Sequence, residues 1–249
     1  EYINFTDSKL IKVEFDQKTK LKGACFNGAD LSNLEYLGGK DKQANLLFLE
    51  QSKFKNAMMT HLDIYNVNFA YSDFELAQLV DCKIGESAQK DLNVNFAYAN
   101  MVRANFLRTI LTRCSFQNAV MNRTILTYAI LKKNDFSKCS LAYAGFLKAD
   151  IEDCNFDKAY CAKISLKDAN LSNVSFQYST LLSADFSGAT IKNANFDDST
   201  CENALYIGTS IEETTFKRGV LAGSRIVGDS EKNIEFYKCD FTEANFNNV

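Results

Sequence analysis

Proline and tryptophan are absent from this 249-residue chain, and histidine occurs once, at His61. A chain without proline keeps an N–H donor on every residue, so nothing in it interrupts a hydrogen-bonded backbone array. One imidazole is too few for a His-rich zinc centre. No apolar run approaches the roughly 20 residues that cross a membrane as a helix. No glycine-rich phosphate loop occurs. Neither sign of charge dominates: 28 Lys and Arg stand against 31 Asp and Glu, which selects no class of charged partner. The chain opens on Glu1 rather than Met, so the native N-terminus is expected to lie upstream, and the segment shown begins with no basic-then-apolar stretch. What is present is 46% hydrophobic and 24% charged residues, the composition of a folded rather than a disordered chain.

The hydrophobic residues keep an unusual beat. In LSADFSGATIKNANFDDSTC, residues 182–201, Phe186, Ile191, Phe196 and Cys201 recur every fifth position. Neither the 3.6-residue period of a helix nor the 2-residue period of a strand matches this. Taking the large apolar residue as the centre of each unit, 27 units run from Phe96 to Ile226 without a slip. The position two before each centre is small (Ala, Ser, Thr, Cys or Gly) in 23 of those 27 units. Both positions are predicted to face inward, the small residue leaving room for the large one. Phe also recurs at twenty residues, from Phe96 through Phe116, Phe136, Phe156, Phe176, Phe196 and Phe216 to Phe236. Twenty residues per turn means four units per turn, a square coil in which like stacks on like.

The units Ala99-Asn100-Met101, Ala104-Asn105-Phe106, Ala149-Asp150-Ile151, Ala169-Asn170-Leu171, Ala184-Asp185-Phe186 and Ala194-Asn195-Phe196 carry a motif of the form A(D/N)LXX. In this the chain resembles the pentapeptide-repeat family over nearly its whole length. The resemblance implies an all-β fold, a right-handed quadrilateral parallel β-helix, here of about eleven coils. One domain is expected over 1–249, with irregular segments at 37–51, 85–93 and 227–235. The early centres are Phe5, Leu10 and Phe15, then Leu21, Phe26, Leu31 and Tyr36, with a stray unit at Ala44-Asn45-Leu46. Phe54 and Phe74 extend the Phe ladder backward, and the 22 residues from Phe74 to Phe96 suggest a turn lengthened by two. Phe216 to Phe236 remains twenty, so register is expected to survive the third irregularity. Repeat units continue to both termini, so flanking domains or a second copy are expected to cover the coil ends.

Chemistry is searched for with little return. Of the eight Cys, Cys82, Cys114, Cys139, Cys154 and Cys239 fall on the small inward position, Cys161 and Cys201 on centres, and only Cys25 outward. They read as core residues in a reducing compartment. No CxxC spacing supports a metal, and no catalytic residue or cofactor is assigned. The expected location is the cytoplasm, or a host cytosol for a secreted effector.

The outer residues carry the functional expectation. Residues 96–168 hold eleven Lys and Arg against six Asp and Glu, and residues 183–249 hold six against eleven. Arg103 and Arg123, twenty apart, are predicted to stack with Tyr143 and Lys163 in one column. With Tyr128 and the outward Ile110 and Ile130, they make the candidate partner-binding group, since Arg and Tyr around an apolar centre suit protein recognition. The leading expectation is a non-enzymatic interaction or scaffold module, as in the β-helical domains of bacterial effectors that the chain resembles. Another protein is its partner; no nucleic acid and no membrane is expected. The alternative implied by the resemblance is a DNA mimic that protects a type II topoisomerase.

Overall fold

The computed structural model describes residues 2–15, 19–34, 36–38, 46–85, 94–228 and 234–249. Each five-residue unit makes one side of a square, and each fourth unit returns above the first. Four faces result, numbered here in chain order. Face I is a ten-stranded parallel sheet running from Tyr36–Gly38 to Glu235–Tyr237. Face II holds the bridges Asn95↔Ser115↔Asp135 and onward, face III Asn100↔Val120↔Ser140, and face IV Asn105↔Ile125↔Gly145. Face III alone takes eleven coil-to-coil steps, from Asn4↔Cys25 to Val220↔Asn245. At about 4.8 Å per step the rod is roughly 50–55 Å long. The β-helix expected from the spacing is what forms. No helix occurs among the described residues.

Phe116 shows how one unit satisfies its backbone. Its N–H donates to Asp135 O above at 2.7 Å, and the N–H of Asn118 donates to Ser137 O at 3.2 Å. The N–H of Ala119 closes the corner on Phe116 O at 2.9 Å, and that of Val120 donates down to Ala99 O at 2.9 Å. One amide per unit has no place in this scheme, that of the residue after the centre. The Asn or Asp before the centre takes it: Asn95 Oδ1 accepts from Ala97 N at 2.9 Å, and Asn105 Oδ1 from Leu107 N at 3.0 Å. This Asx turn is the physical content of the second motif position. Two residues after each centre the chain turns the corner at positive φ. From Tyr98 to Gly223 every unit does so, almost always without glycine.

The core is a set of stacked columns. Phe centroids on face II lie 4.7–5.1 Å apart from Phe96 to Phe216. Inward Ser and Thr hydroxyls are buried but donate to carbonyls: Ser199 to Phe196 O at 2.6 Å, Ser224 to Cys201 O at 2.8 Å. This is why the small site accepts hydroxyl residues as readily as Ala.

Several register expectations are corrected. Phe96 stacks on Phe69 at 5.1 Å, not on Phe74. Asn68 pairs with Asn95, so that turn is lengthened by seven residues, not two. Phe54 and Phe74 stack on each other at 4.7 Å but belong to face III. At the other end Phe241, not Phe236, continues the ladder over Phe216, and Phe236 lies over Ile211. The third irregularity therefore adds one whole unit and moves everything after it one face round. Leu37, not Tyr36, faces the core, because Tyr36 takes the outward place that pairs with Asp63. Leu47 and Leu49, not Leu46, are the buried residues that follow. Within the three expected irregular segments, residues 39–45, 86–93 and 229–233 lie outside the described residues, and Ala44 and Asn45 of the stray unit with them.

Candidate interaction surface

Most side chains that carry chemistry elsewhere are buried or already bonded here. Burial pushes the thiols of Cys82, Cys139 and Cys154 up to about 12 and that of Cys201 to about 11. Raised thiols of this kind are poor nucleophiles at neutral pH. His61 sits on a corner 4.0 Å from Asp81, and Asp81 is already held by a bidentate bond from Arg108. Among the described residues no cluster of His, Cys, Asp and Glu is arranged to hold a metal. A groove of about 450 Å³ near the N-terminus lies between Val13, Ser32 and Leu34. Lys12 and Glu14 line it, and the Ser32 hydroxyl there donates to Asp30 Oδ1 at 2.5 Å, with no His or carboxylate pair among the described lining residues.

The six predicted partner-binding residues divide between two edges and one face. Arg103, Arg123 and Tyr143 are corner residues of face III units, at φ of 58°, 60° and 60°. They form an edge between faces III and IV rather than a column within a face. Tyr143 lies between two cations, Arg123 at 5.6 Å and Lys163 at 5.4 Å from its ring centroid. The column therefore offsets its own charge repulsion through the ring face. Tyr128 is on the next edge, between faces IV and I, beneath Lys148 at 5.9 Å. Ile110 and Ile130 pair on face I, beside Tyr128 but a full face away from Arg103.

Charge is also sorted around the rod, which the linear count of charges did not reveal. Over coils 98–183, face I carries Asp150, Glu152 and Asp153, and face II carries Asp135 and Asp157. Face IV carries only Asp168, and face III carries no carboxylate at all. Acids on face I are engaged by neighbours one coil away, Glu152 with Lys132 at 3.0 Å and Asp153 with Lys133 at 4.0 Å. The signal was available in the sequence, but only by sorting charges into columns twenty residues apart.

A sequence model for pentapeptide repeats matches residues 93–127 and 164–200, in eight copies. Solved structures with a similar chain path include HetL, a pentapeptide repeat protein involved in heterocyst differentiation regulation from the cyanobacterium Nostoc sp. It is 18% identical, over 84% of this chain and 89% of its own, with a TM-score of 0.33. Trypsin-treated QnrB1, a plasmid-mediated fluoroquinolone resistance protein, is 20% identical over 79% of this chain and 90% of its own, with a TM-score of 0.28. A pentapeptide repeat protein from the Arabidopsis thaliana thylakoid lumen is 24% identical over 44% of this chain and 59% of its own, with a TM-score of 0.25. No curated protein sequence is significantly similar to the chain.

Proposed function

We propose that this pentapeptide-repeat solenoid is a non-enzymatic protein-binding module, a stiff rod whose outer faces are read by another protein. The observation that carries the reading is the separation of inside from outside. Among the described residues every inward column is filled by packing side chains, leaving no interior room for a substrate. The outer positions vary along each column while the backbone frame beneath them stays the same. General acid–base or nucleophilic chemistry needs a cleft that shifts pKa values toward neutrality. Here burial moves thiols away from neutrality, and the shifted carboxylates are half-buried groups held low by cations and hydroxyls. Eight unpaired cysteines fit a reducing compartment, cytoplasmic or, for a secreted effector, the host cytosol.

The DNA-mimic reading has less support. A mimic needs unbroken rows of negative charge, and several acids of the C-terminal coils are paired with cations of their own columns. Asp198 is held by Arg218 at 2.6 Å, Glu212 by Lys192 at 3.2 Å and Glu213 by Lys238 at 3.3 Å. A supercoiling assay with gyrase and a quinolone is expected to be unaffected by the purified protein. The module reading itself is tested by cross-linking in the source cells. A discrete protein cross-linked to outer residues is expected, and its absence at saturating cross-linker contradicts the proposal.

A further inference from the structure

Face III between residues 98 and 183 differs from the rest of the rod in three ways. It has no carboxylate on five consecutive coils. Its floor is uncharged and partly apolar: Val102, Val120, Ala142, Ala162 and Leu182 alternate with Asn, Ser and Thr around Tyr160, whose ring is 49% exposed. Cations stand along both of its edges. Lys138 and Lys158 mark the edge shared with face II, and Arg103, Arg123 and Lys163 the edge shared with face IV. None of these five forms a salt bridge among the described residues, nor do Arg113 and Lys148 on the other edges, whereas Lys132, Lys133 and Arg108 do. Arg123 and Lys163 lie over the Tyr143 ring and Lys158 over the Tyr178 ring, contacts that leave each cation without a carboxylate and so attractive to an incoming one.

We propose that this face is the docking site for an amphipathic helix of a partner protein, one with an apolar stripe flanked by Asp and Glu. The proposal rests on the module reading and supplies its partner chemistry. The dimensions agree. A three-residue strand spans about 10 Å, and a helix with its side chains is about 10–12 Å across. Five coils cover about 19 Å along the axis, the length of roughly 13 helical residues. The stripe would lie on the floor, with the carboxylates reaching the two rails. A nucleic acid fits less well. Phosphates need cations throughout the contact rather than at its edges, and the floor offers valine and alanine where a backbone would lie. One face of five coils buries a few hundred Å², less than the roughly 800 Å² per partner of a stable complex. The contact is therefore weak and salt-sensitive.

The test uses an 18-residue helical peptide with a Leu/Ala stripe bordered on both sides by Glu, labelled for fluorescence anisotropy. Binding is expected at low salt, weakening as salt is raised. Reversing either rail, with Arg103→Glu plus Arg123→Glu or with Lys138→Glu plus Lys158→Glu, is expected to weaken it more than tenfold. Lys132→Glu plus Lys133→Glu on face I changes net charge equally and is expected to leave binding within twofold. All three variants are first shown to melt as wild type does. No binding, equal loss from the face I variant, or tighter binding of a 20-nucleotide DNA each overturns the proposal. If the peptide fails while cross-linking still captures a protein partner, the module reading stands and only the face is wrong.

Discussion

At the residue scale the five positions of a unit have separate physical reasons. Two were readable in the sequence: the large centre and the small residue before it both point inward because burial selects them. Phe176 is fully buried and stacked on both sides. Phe176→Ala is expected to lower stability by about 3–5 kcal/mol in urea unfolding. The corner position was not readable. Arg, Lys, Tyr and Asn all occupy it, so nothing in its composition announces a left-handed φ. The corner bonds hold it there despite a cost of roughly 1–2 kcal/mol for a side chain in that region. Glycine is required at only a few places. A Cβ on Gly85 would lie 1.8 Å from Thr112 O, and one on Gly38 would lie 1.8 Å from Tyr65 O. Backbone cannot yield, so either Ala substitution is expected to cost more than about 3 kcal/mol. Gly188 has an ordinary corner φ of 70°, and its Cβ would meet only the movable Asp168 carboxylate. Gly188→Ala is expected to cost about 1–2 kcal/mol, the left-handed penalty alone. Equal losses at Gly85 and Gly188 would contradict this distinction. Thiol accessibility gives a second check. In the native protein only the half-buried Cys25 and Cys239 are expected to react with an aromatic disulfide reagent, and the six buried thiols only after unfolding.

The coil is the next scale, and here sequence reading half succeeds. A period of five survives any insertion of five residues, and a period of twenty does not. The segment between Val227 and Ile234 adds one unit's worth of chain. Phase therefore persists while face assignment slips, and Phe236 looks like a ladder member when it is not. The same ambiguity places Phe96 over Phe69 rather than Phe74, because both faces carry Phe. Only strand pairing separates the alternatives. Along the edges, coil-to-coil ion pairs add a pH-dependent element. The Arg108 guanidinium beside Asp81 and the Arg218 guanidinium beside Asp198 hold those carboxyls below their usual range. The Thr242 hydroxyl and amide, with Lys217, bring Asp240 down to about 2. A carboxyl depressed in the folded state contributes stability above its unfolded value of about 4, and the contribution disappears as pH falls toward 2. The melting temperature is expected to hold from pH 7 to about 4 and fall below it. For these exposed pairs the drop is modest and shrinks in high salt. A melting temperature that rises on acidification would contradict this sign.

Across the whole molecule each coil touches only the one above and the one below, so stability is local and additive along the rod. The central coils have two neighbours each, and their centres from Phe96 to Phe216 are almost completely buried. The end coils have one. Phe5 is only partly covered, and Phe236 and Phe246 remain 38% exposed. The N-terminal coils also carry the longest departures from twenty residues, 28 from Phe26 to Phe54 and 27 from Phe69 to Phe96. A longer excursion raises the entropy lost when its ends close, though only slowly with length. Opening should therefore begin at the ends and at the coil boundaries flanked by these excursions. In native hydrogen exchange, amides of residues 96–216 are expected to be the slowest. Protection should decline toward residue 249 on one side and step down below residue 85 on the other. The comparison is internal, because the amides of Phe54, Phe116 and Phe196 make the same coil-to-coil bond at 2.6–2.7 Å. Differences among them must then report the opening of coils rather than the strength of individual bonds. Uniform exchange along the rod would mean that the coils open as one cooperative block, and that the nearest-neighbour account of its stability is wrong.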